Sequence, residues 1–161
     1  MKAVGLLALS GSTRPGGYNQ RLLDIAAAEA REAGIAVTAI SLADFELPLY
    51  SEAREREAFP DAARALKAAF VAHDGFLIAT PEHNGSVSAL LKNAIDWISR
   101  PTDGEPIIAL AAFRGKVAGL MSASPSPFGG LRGLAHLRQI LSTIQTLVVP
   151  EQVAVPAAHL A

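Results

Sequence analysis

The sequence predicts a doubly wound α/β domain built on a five-stranded parallel sheet. Three observations carry that expectation. Short continuous apolar runs, the pattern of strands buried on both faces, alternate with longer segments whose apolar residues recur at helical spacing. Strictly alternating elements call for parallel strands joined by right-handed crossovers, with helices on both faces of the sheet. The loops leaving the first, third and fourth strands, Ser10 to Tyr18, Pro81 to Ser86 and Ala123 to Gly130, concentrate the Gly, Ser, Pro, Asn and His of the chain. They share the sheet edge at which such folds bind ligands.

Val4 to Leu9 is continuously apolar and reads as the first, central strand. Asn19 is placed to cap a helix that runs to Gly34, with Leu22, Ile25, Ala26, Ala30 and Ala33 inward and Gly34 as its stop. Ile35 to Ile40 is the second strand. Ser41 to Phe59, with Pro48 and the charged run Glu52 to Glu57, reads as an irregular surface loop. Pro60 opens a helix to about His73, Asp74-Gly75 turns the chain, and Phe76 to Thr80 forms the third strand, which Pro81 ends. Ser86 or Ser88 caps a third helix to Ser99. Pro101 to Lys116 is a connection with at most one helical turn. Val117 to Ser122 is the fourth strand, Leu131 to Gln145 the fourth helix, and Leu147 to Val149 a short fifth strand followed by Val153 to Val155.

A chain of 161 residues has the length of one domain and buries roughly two thirds of its unfolded surface. It has no cysteine, which removes disulfides, thiolate metal sites and a cysteine nucleophile and fits a reducing, cytoplasmic setting. Its net charge is −1, from 14 basic and 15 acidic residues, so neither nucleic acid nor an anionic membrane is expected as partner. Half the residues are hydrophobic, yet no run approaches the roughly 20 residues of a membrane span. Met1-Lys2 and the apolar Ala3 to Leu9 resemble a signal peptide only superficially, because the apolar run passes straight into the first loop.

That loop, Ser10-Gly-Ser-Thr-Arg-Pro-Gly-Gly-Tyr18, is an anion-binding geometry. Backbone N–H groups, the free donors of a helix's first turn and the Arg14 fork converge on one point. It is neither G-x-G-x-x-G nor a Walker loop, because Ser12, Thr13 and Arg14 follow Gly11 and no Gly-Lys-Ser/Thr follows. A terminal phosphate monoester remains, with Ser12, Thr13, Arg14 and Asn19 as candidate ligands. The second loop, Thr80-Pro-Glu-His-Asn-Gly-Ser86, holds an unusual backbone path through Pro81 and Gly85 and offers amides to the edge of a flat heterocycle. Glu82 and His83 invite an acid/base reading without a spaced partner. His73, His83, His136 and His159 show no metal-ligand pairing, and no Gly-x-Ser-x-Gly elbow exists, so no metal and no catalytic side chain are assigned. In the third helix Leu91, Ala94, Ile95 and Ile98 form one apolar stripe, and Leu90, Ala94 and Trp97 form a second that either faces a partner subunit or widens a stripe buried wholly within one subunit.

Gly11-Ser12-x-Arg14 with Asn19, Thr80-Pro-Glu-His-Asn-Gly-Ser86 and Leu91-Lys-Asn-Ala-Ile-Asp-Trp97 together resemble the NAD(P)H-dependent FMN reductases, a family that includes quinone, chromate and azo-dye reductases. The resemblance implies a flavodoxin-like fold with strand order 2-1-3-4-5 over residues 1–161. It also implies FMN as bound cofactor and NADPH or NADH as co-substrate. By match, the FMN phosphate falls to the first loop, at Ser12, Arg14 and Asn19, with Thr13, Gly17 and Tyr18 of the same stretch also counted as cofactor-binding. The isoalloxazine is bordered by Pro81, Glu82, His83, Asn84 and Gly85, and its other side by Ser124, Gly129 and Gly130. A homodimer or homotetramer through the Ser86 to Arg100 helix is implied as well.

The sequence departs from the family pattern at Gly17, where a serine is usual, at His83, where a tyrosine is usual, and at Ser88-Ala89, where Pro-Gly is usual. After Val155 only Pro156 to Ala161 follow where the family usually adds a final helix over the sheet, so either that helix lies outside these residues or another surface covers that face. The implied reaction passes a hydride from the nicotinamide to the flavin N5 and then electrons to a quinone, free flavin or similar small acceptor. The cofactor carries the chemistry, so no acid or base is needed. The alternative is a non-enzymatic FMN electron carrier of flavodoxin type, against which the balanced charge argues. A phosphorylatable receiver domain would need carboxylates where Ser10 and Thr80 stand.

Overall fold

The computed structural model describes residues 4–102 and 104–160, so the segment Met1 to Ala3 considered above lies outside the described residues. Seven strands and five α-helices are labelled in chain order: β1 (Gly5–Ser10), α1 (Tyr18–Glu32), β2 (Ala36–Ser41), α2 (Glu52–Glu57), α3 (Asp61–Ala72), β3 (Gly75–Ala79), β4 (Glu82–His83), β5 (Ser86–Val87), α4 (Ala89–Ile98), β6 (Val117–Ala123), α5 (Leu131–Thr143) and β7 (Leu147–Val155). The main sheet has the order β2-β1-β3-β6-β7 with every pair parallel. Counting long strands alone, that is the expected 2-1-3-4-5.

Strand side chains alternate between two cores. Leu7 and Leu9 of β1, Phe76 and Ile78 of β3 and Leu120 of β6 point to the face covered by α3, α4 and α5. There the rings of Phe70, Phe76 and Phe113 pack at centroid separations of 4.8–6.2 Å. Ala8, Ala79 and Met121 point to the other face, against Leu23 and Ala27 of α1. The small side chains on that face let α1 lie close to the sheet, which brings its N-terminus to the carboxyl edge of β1. Beyond α1 an apolar cleft of about 180 Å³ stays open between Leu22, Ile25 and Val155.

The structure differs from the sequence reading in several places, the first being α1, whose buried face is Leu23 and Ala27 rather than the expected Ile25 and Ala33, both of which are exposed. Glu52 to Glu57 is not loop but α2, capped by the Ser51 hydroxyl, which accepts from Arg54 N. The fifth strand is one strand rather than two pieces. Its register to β6 jumps from Ala118↔Val148 to Leu120↔Gln152, and the bulge takes up Pro150, which has no N–H to give a ladder. Residues 82–87 form a β-hairpin. Of the two readings of the second α4 stripe, the structure favours burial within one chain: Trp97 is fully buried, donates Nε1–H to Pro48 O at 2.7 Å and meets Tyr50 and Phe59 edge-on.

Candidate functional site

The first loop is wound by its own hydroxyls. Ser10 Oγ accepts from Ser12 N (3.2 Å), Ser12 Oγ accepts from Arg14 N (3.3 Å), and Arg14 O accepts from Gly17 N (3.0 Å). These bonds turn Arg14 outward, exposed. Because Ser12 Oγ only accepts within the loop, its O–H is left to donate to a ligand. Helix α1 starts on Gly17, in extended conformation (φ −64°, ψ 151°), with no side-chain cap and no acidic residue in its first turn. The first-turn N–H groups and the positive end of the helix therefore open beside Arg14 and Ser12, an arrangement whose charge and free donors suit an anion.

Asn19 is not the helix cap; Gly17 holds that position, because the helix begins at Tyr18. The buried Asn19 amide instead pairs with one backbone unit on β6: Nδ2 donates to Ala123 O and Oδ1 accepts from Ala123 N, both at 3.0 Å. This side chain fixes the first loop to the third.

In the second loop Asn84 and Gly85 take positive φ (52° and 77°), and Glu82 and His83 pair with Val87 and Ser86 in antiparallel register. This is the Asn-Gly hairpin turn. Adjacent strand residues point to opposite sides. His83 is exposed, whereas the Glu82 side chain is 6% exposed and turned onto α5. Glu82 accepts from Arg132 N (3.0 Å), Gly133 N (3.1 Å) and Arg132 Nε (2.8 Å) and is ion-paired with Arg132. Burial raises the Glu82 pKa, but the Arg132 guanidinium and the two backbone donors outweigh it and hold the carboxyl below the usual Glu range. Glu82 and His83 thus form no acid/base pair. Ser88, not Ser86, caps α4: it accepts from Leu91 N (3.2 Å) and donates to Gly11 O (2.6 Å).

The third loop is tied to the end of β7 through Ser124 N to Val155 O (3.1 Å) and Ala158 N to Ser124 O (3.0 Å). The three loops enclose a cavity of about 200 Å³. Ser12, Arg14, Gly17, Tyr18 and Asn19 line it from the first loop, Pro81, Glu82 and His83 from the second, and Ser124 from the third. Thr13, Asn84, Gly85, Gly129 and Gly130 are not among its lining residues. Thr13 is exposed at the loop's outer side, Asn84-Gly85 is the hairpin tip, and Gly129-Gly130 is buried under the ends of β6 and β7. Ala123 and Pro125 also line the cavity. Sequence reading passed over them because neither carries a polar group, although both flank Ser124. The cavity thus joins the open, cationic start of α1 to the two polar loops of the same sheet edge.

The comparisons with known proteins agree. Residues 4–160 match the family described as NADPH-dependent FMN reductase. The chain is 40% identical over 139 residues to an NAD(P)H-dependent FMN reductase of Pseudomonas aeruginosa, covering 86% of this chain and 69% of that protein. It is 36% identical over 150 residues to a quinone reductase of Escherichia coli K12, covering 89% and 72%. Among solved structures it is similar to FerB, a flavoenzyme NAD(P)H:(acceptor) oxidoreductase of Paracoccus denitrificans, with TM-score 0.77, 27% identity and coverage of 93% and 78%. With the flavodoxin-like sheet order and the three-loop cavity in place, the chain belongs to the NADPH-dependent FMN reductase family.

Proposed function

We propose that this FMN-dependent NAD(P)H oxidoreductase holds its cofactor in the cavity between the three loops and reduces small planar acceptors, quinones or free flavin, by a ping-pong exchange at one open face. The observation that carries the reading is the exposed Arg14 beside the uncapped start of α1, at one end of a cavity whose far side is formed by Pro81, His83 and Ser124. Bound FMN supplies the chemistry, accepting hydride from the nicotinamide and passing electrons to the acceptor. The chain's own part is to bind and orient. Arg14, the Ser12 hydroxyl and the first-turn amides of α1 hold the phosphate dianion. Pro81 and the Ser124 loop border the ring, and the exposed His83 stands where an incoming planar substrate stacks. Relatives named for quinone reduction support the acceptor class, and no specific observation favours the electron-carrier alternative.

Self-association through the Ser86 to Arg100 segment belongs to the same proposal. Trp97 is covered within the chain. The contact would therefore use the groove of about 470 Å³ between α4 and α5, lined by Lys92, Ile95, Asp96 and Ile140. A monomer in light scattering would remove that part. A cytoplasmic location is read from the cysteine-free composition; among the described residues no helix is long and apolar enough to cross a membrane.

Anaerobic titration of the FMN-loaded protein with NADPH and with NADH tests the activity. The flavin colour should bleach with at least one nicotinamide and return on adding a quinone. A flavin that neither nicotinamide bleaches would end the reductase reading.

A further inference from the structure

Helix α5 starts in a way that its own sequence cannot complete. Its cap position is Gly130, at φ 87°, and a Cβ placed there would fall 1.9 Å from the buried Ser122 Oγ. No capping side chain fits at that position. The donors of the second and third helical residues, Arg132 N and Gly133 N, are instead taken by a carboxylate 50 residues earlier in the chain, Glu82 on β4. Gly133 makes room for this docking: a Cβ on it would lie 3.2 Å from Ser86 O and 3.4 Å from Glu82 Cβ, so the hairpin rests directly on the helix. A second bond, His136 Nδ1 to Ser86 Oγ at 2.9 Å, fastens the other hairpin strand one turn further on.

Pro81, Glu82 and His83 line the cavity together with Ala123, Ser124 and Pro125 of the third loop, which runs into α5. We propose that Glu82 is a positioning residue: by capping α5 from the β4–β5 hairpin it locks the second loop to the third and sets the width of the slot for the flavin ring. Glu82 is then neither a ligand of the phosphate nor a proton donor. Its carboxylate is spent on Arg132 and the helix terminus, which also removes an uncompensated negative charge from beside a ring that becomes electron-rich on reduction. The inference rests on reading this cavity as the flavin site.

The test compares Glu82→Ala, Glu82→Gln, Arg132→Ala and Arg14→Ala. For each, the dissociation constants of FMN and riboflavin are measured by flavin fluorescence, and amide hydrogen exchange at Arg132 and Gly133 is followed in the flavin-free protein. Glu82→Ala should weaken FMN and riboflavin alike, by about tenfold or more, and expose both amides to exchange. Glu82→Gln, which keeps a carbonyl acceptor, should recover most of both. Arg132→Ala keeps the backbone donors and should fall between. Arg14→Ala should weaken FMN and leave riboflavin unchanged.

A merely structural Glu82 would lower the melting temperature without changing flavin affinity in the folded protein, and that result would overturn the proposal. So would a Glu82→Ala loss confined to FMN, which would put the carboxylate at the phosphate. If Arg14→Ala weakens FMN while Glu82→Ala binds both flavins normally, the positioning role falls and the site stands. If neither variant changes binding, the cavity is not the flavin site and the inference falls with it.

Discussion

Two helices begin at this sheet edge in nearly the same way and are finished oppositely. Both α1 and α5 start from a glycine, Gly17 and Gly130, and neither has a side-chain cap of its own or an acidic residue in its first turn. At α5 the Glu82 carboxylate, brought in by the hairpin, takes the second and third donors. At α1 no side chain caps the first turn, and the cation Arg14, left exposed by the loop's own hydroxyl bond, lines the same cavity as Gly17 and Tyr18. The protein thus closes one positive helix end with its own anion and leaves the other without a side-chain cap, open to a ligand's anion in the proposed function. A helix terminus can serve an anionic ligand only when the chain does not fill it, and the proposed phosphate position is the unfilled one.

The comparison is broken most severely at the two glycines, which differ in kind although both precede a helix. Gly130→Ala combines left-handed backbone with an overlap onto Ser122, and it should cost roughly 3 kcal/mol, a drop in melting temperature on the order of 10 °C. Gly17→Ala meets a backbone that any residue adopts and only a 3.1 Å approach to Arg14 O. It should change stability by about 0.5 kcal/mol or less. Thermal unfolding of the two variants side by side decides the matter; equal losses would mean that the two starts are built alike after all.

Next in size is the charge that marks the open end. A charge-assisted bond to phosphate contributes about 1.5 to 3 kcal/mol, so Arg14→Ala should weaken FMN at least about tenfold. Riboflavin, which lacks the phosphate, is the control that keeps this loss specific to the anion. Equal retention of FMN by the variant would show that the phosphate sits elsewhere.

How much of this arrangement the sequence discloses follows from the range of each interaction. The strands, the sheet order and the polar edge are written in local patterns: continuous apolar runs, 3.6-residue spacing, and glycine and proline at the breaks. The first loop was legible for the same reason, since hydroxyls, arginine and glycines stand together. Helix α2 was missed because Glu52 to Glu57 has no apolar stripe, although Ser51 is the cap that could have announced it. The hairpin was carried by a single Asn-Gly pair and two-residue strands, too short to show alternation. The roles of Asn19 and Glu82 could not be read at all. Each side chain is satisfied by backbone 104 or about 50 positions away, and a backbone amide leaves no mark in the sequence. The second stripe of α4 was visible, but what covers Trp97 depended on the path of Pro48 to Phe59.

The smallest effect probes the open terminus itself. Gly17 occupies the cap position of α1 in a conformation suited to serine, and replacing it restores the hydroxyl usual at this position in the family. Without ligand, the Gly17→Ser hydroxyl accepts from the first-turn N–H groups, and serine gains only a few tenths of a kcal/mol over glycine as a cap. The cost is small as well, because the new Cβ asks Arg14 O to give by a few tenths of an ångström at most. With FMN bound, the same hydroxyl keeps accepting from the helix and turns its own proton toward the phosphate, adding one donor worth about 0.5 to 1.5 kcal/mol. FMN should therefore bind a few-fold to about tenfold more tightly while riboflavin is unaffected and the melting temperature of the flavin-free protein rises by about 1 °C. Weaker FMN binding would mean that the serine closes α1 as Glu82 closes α5, by filling the terminus instead of extending it. The direction of one modest shift thus separates a helix start reserved for phosphate from one that merely lacks a cap.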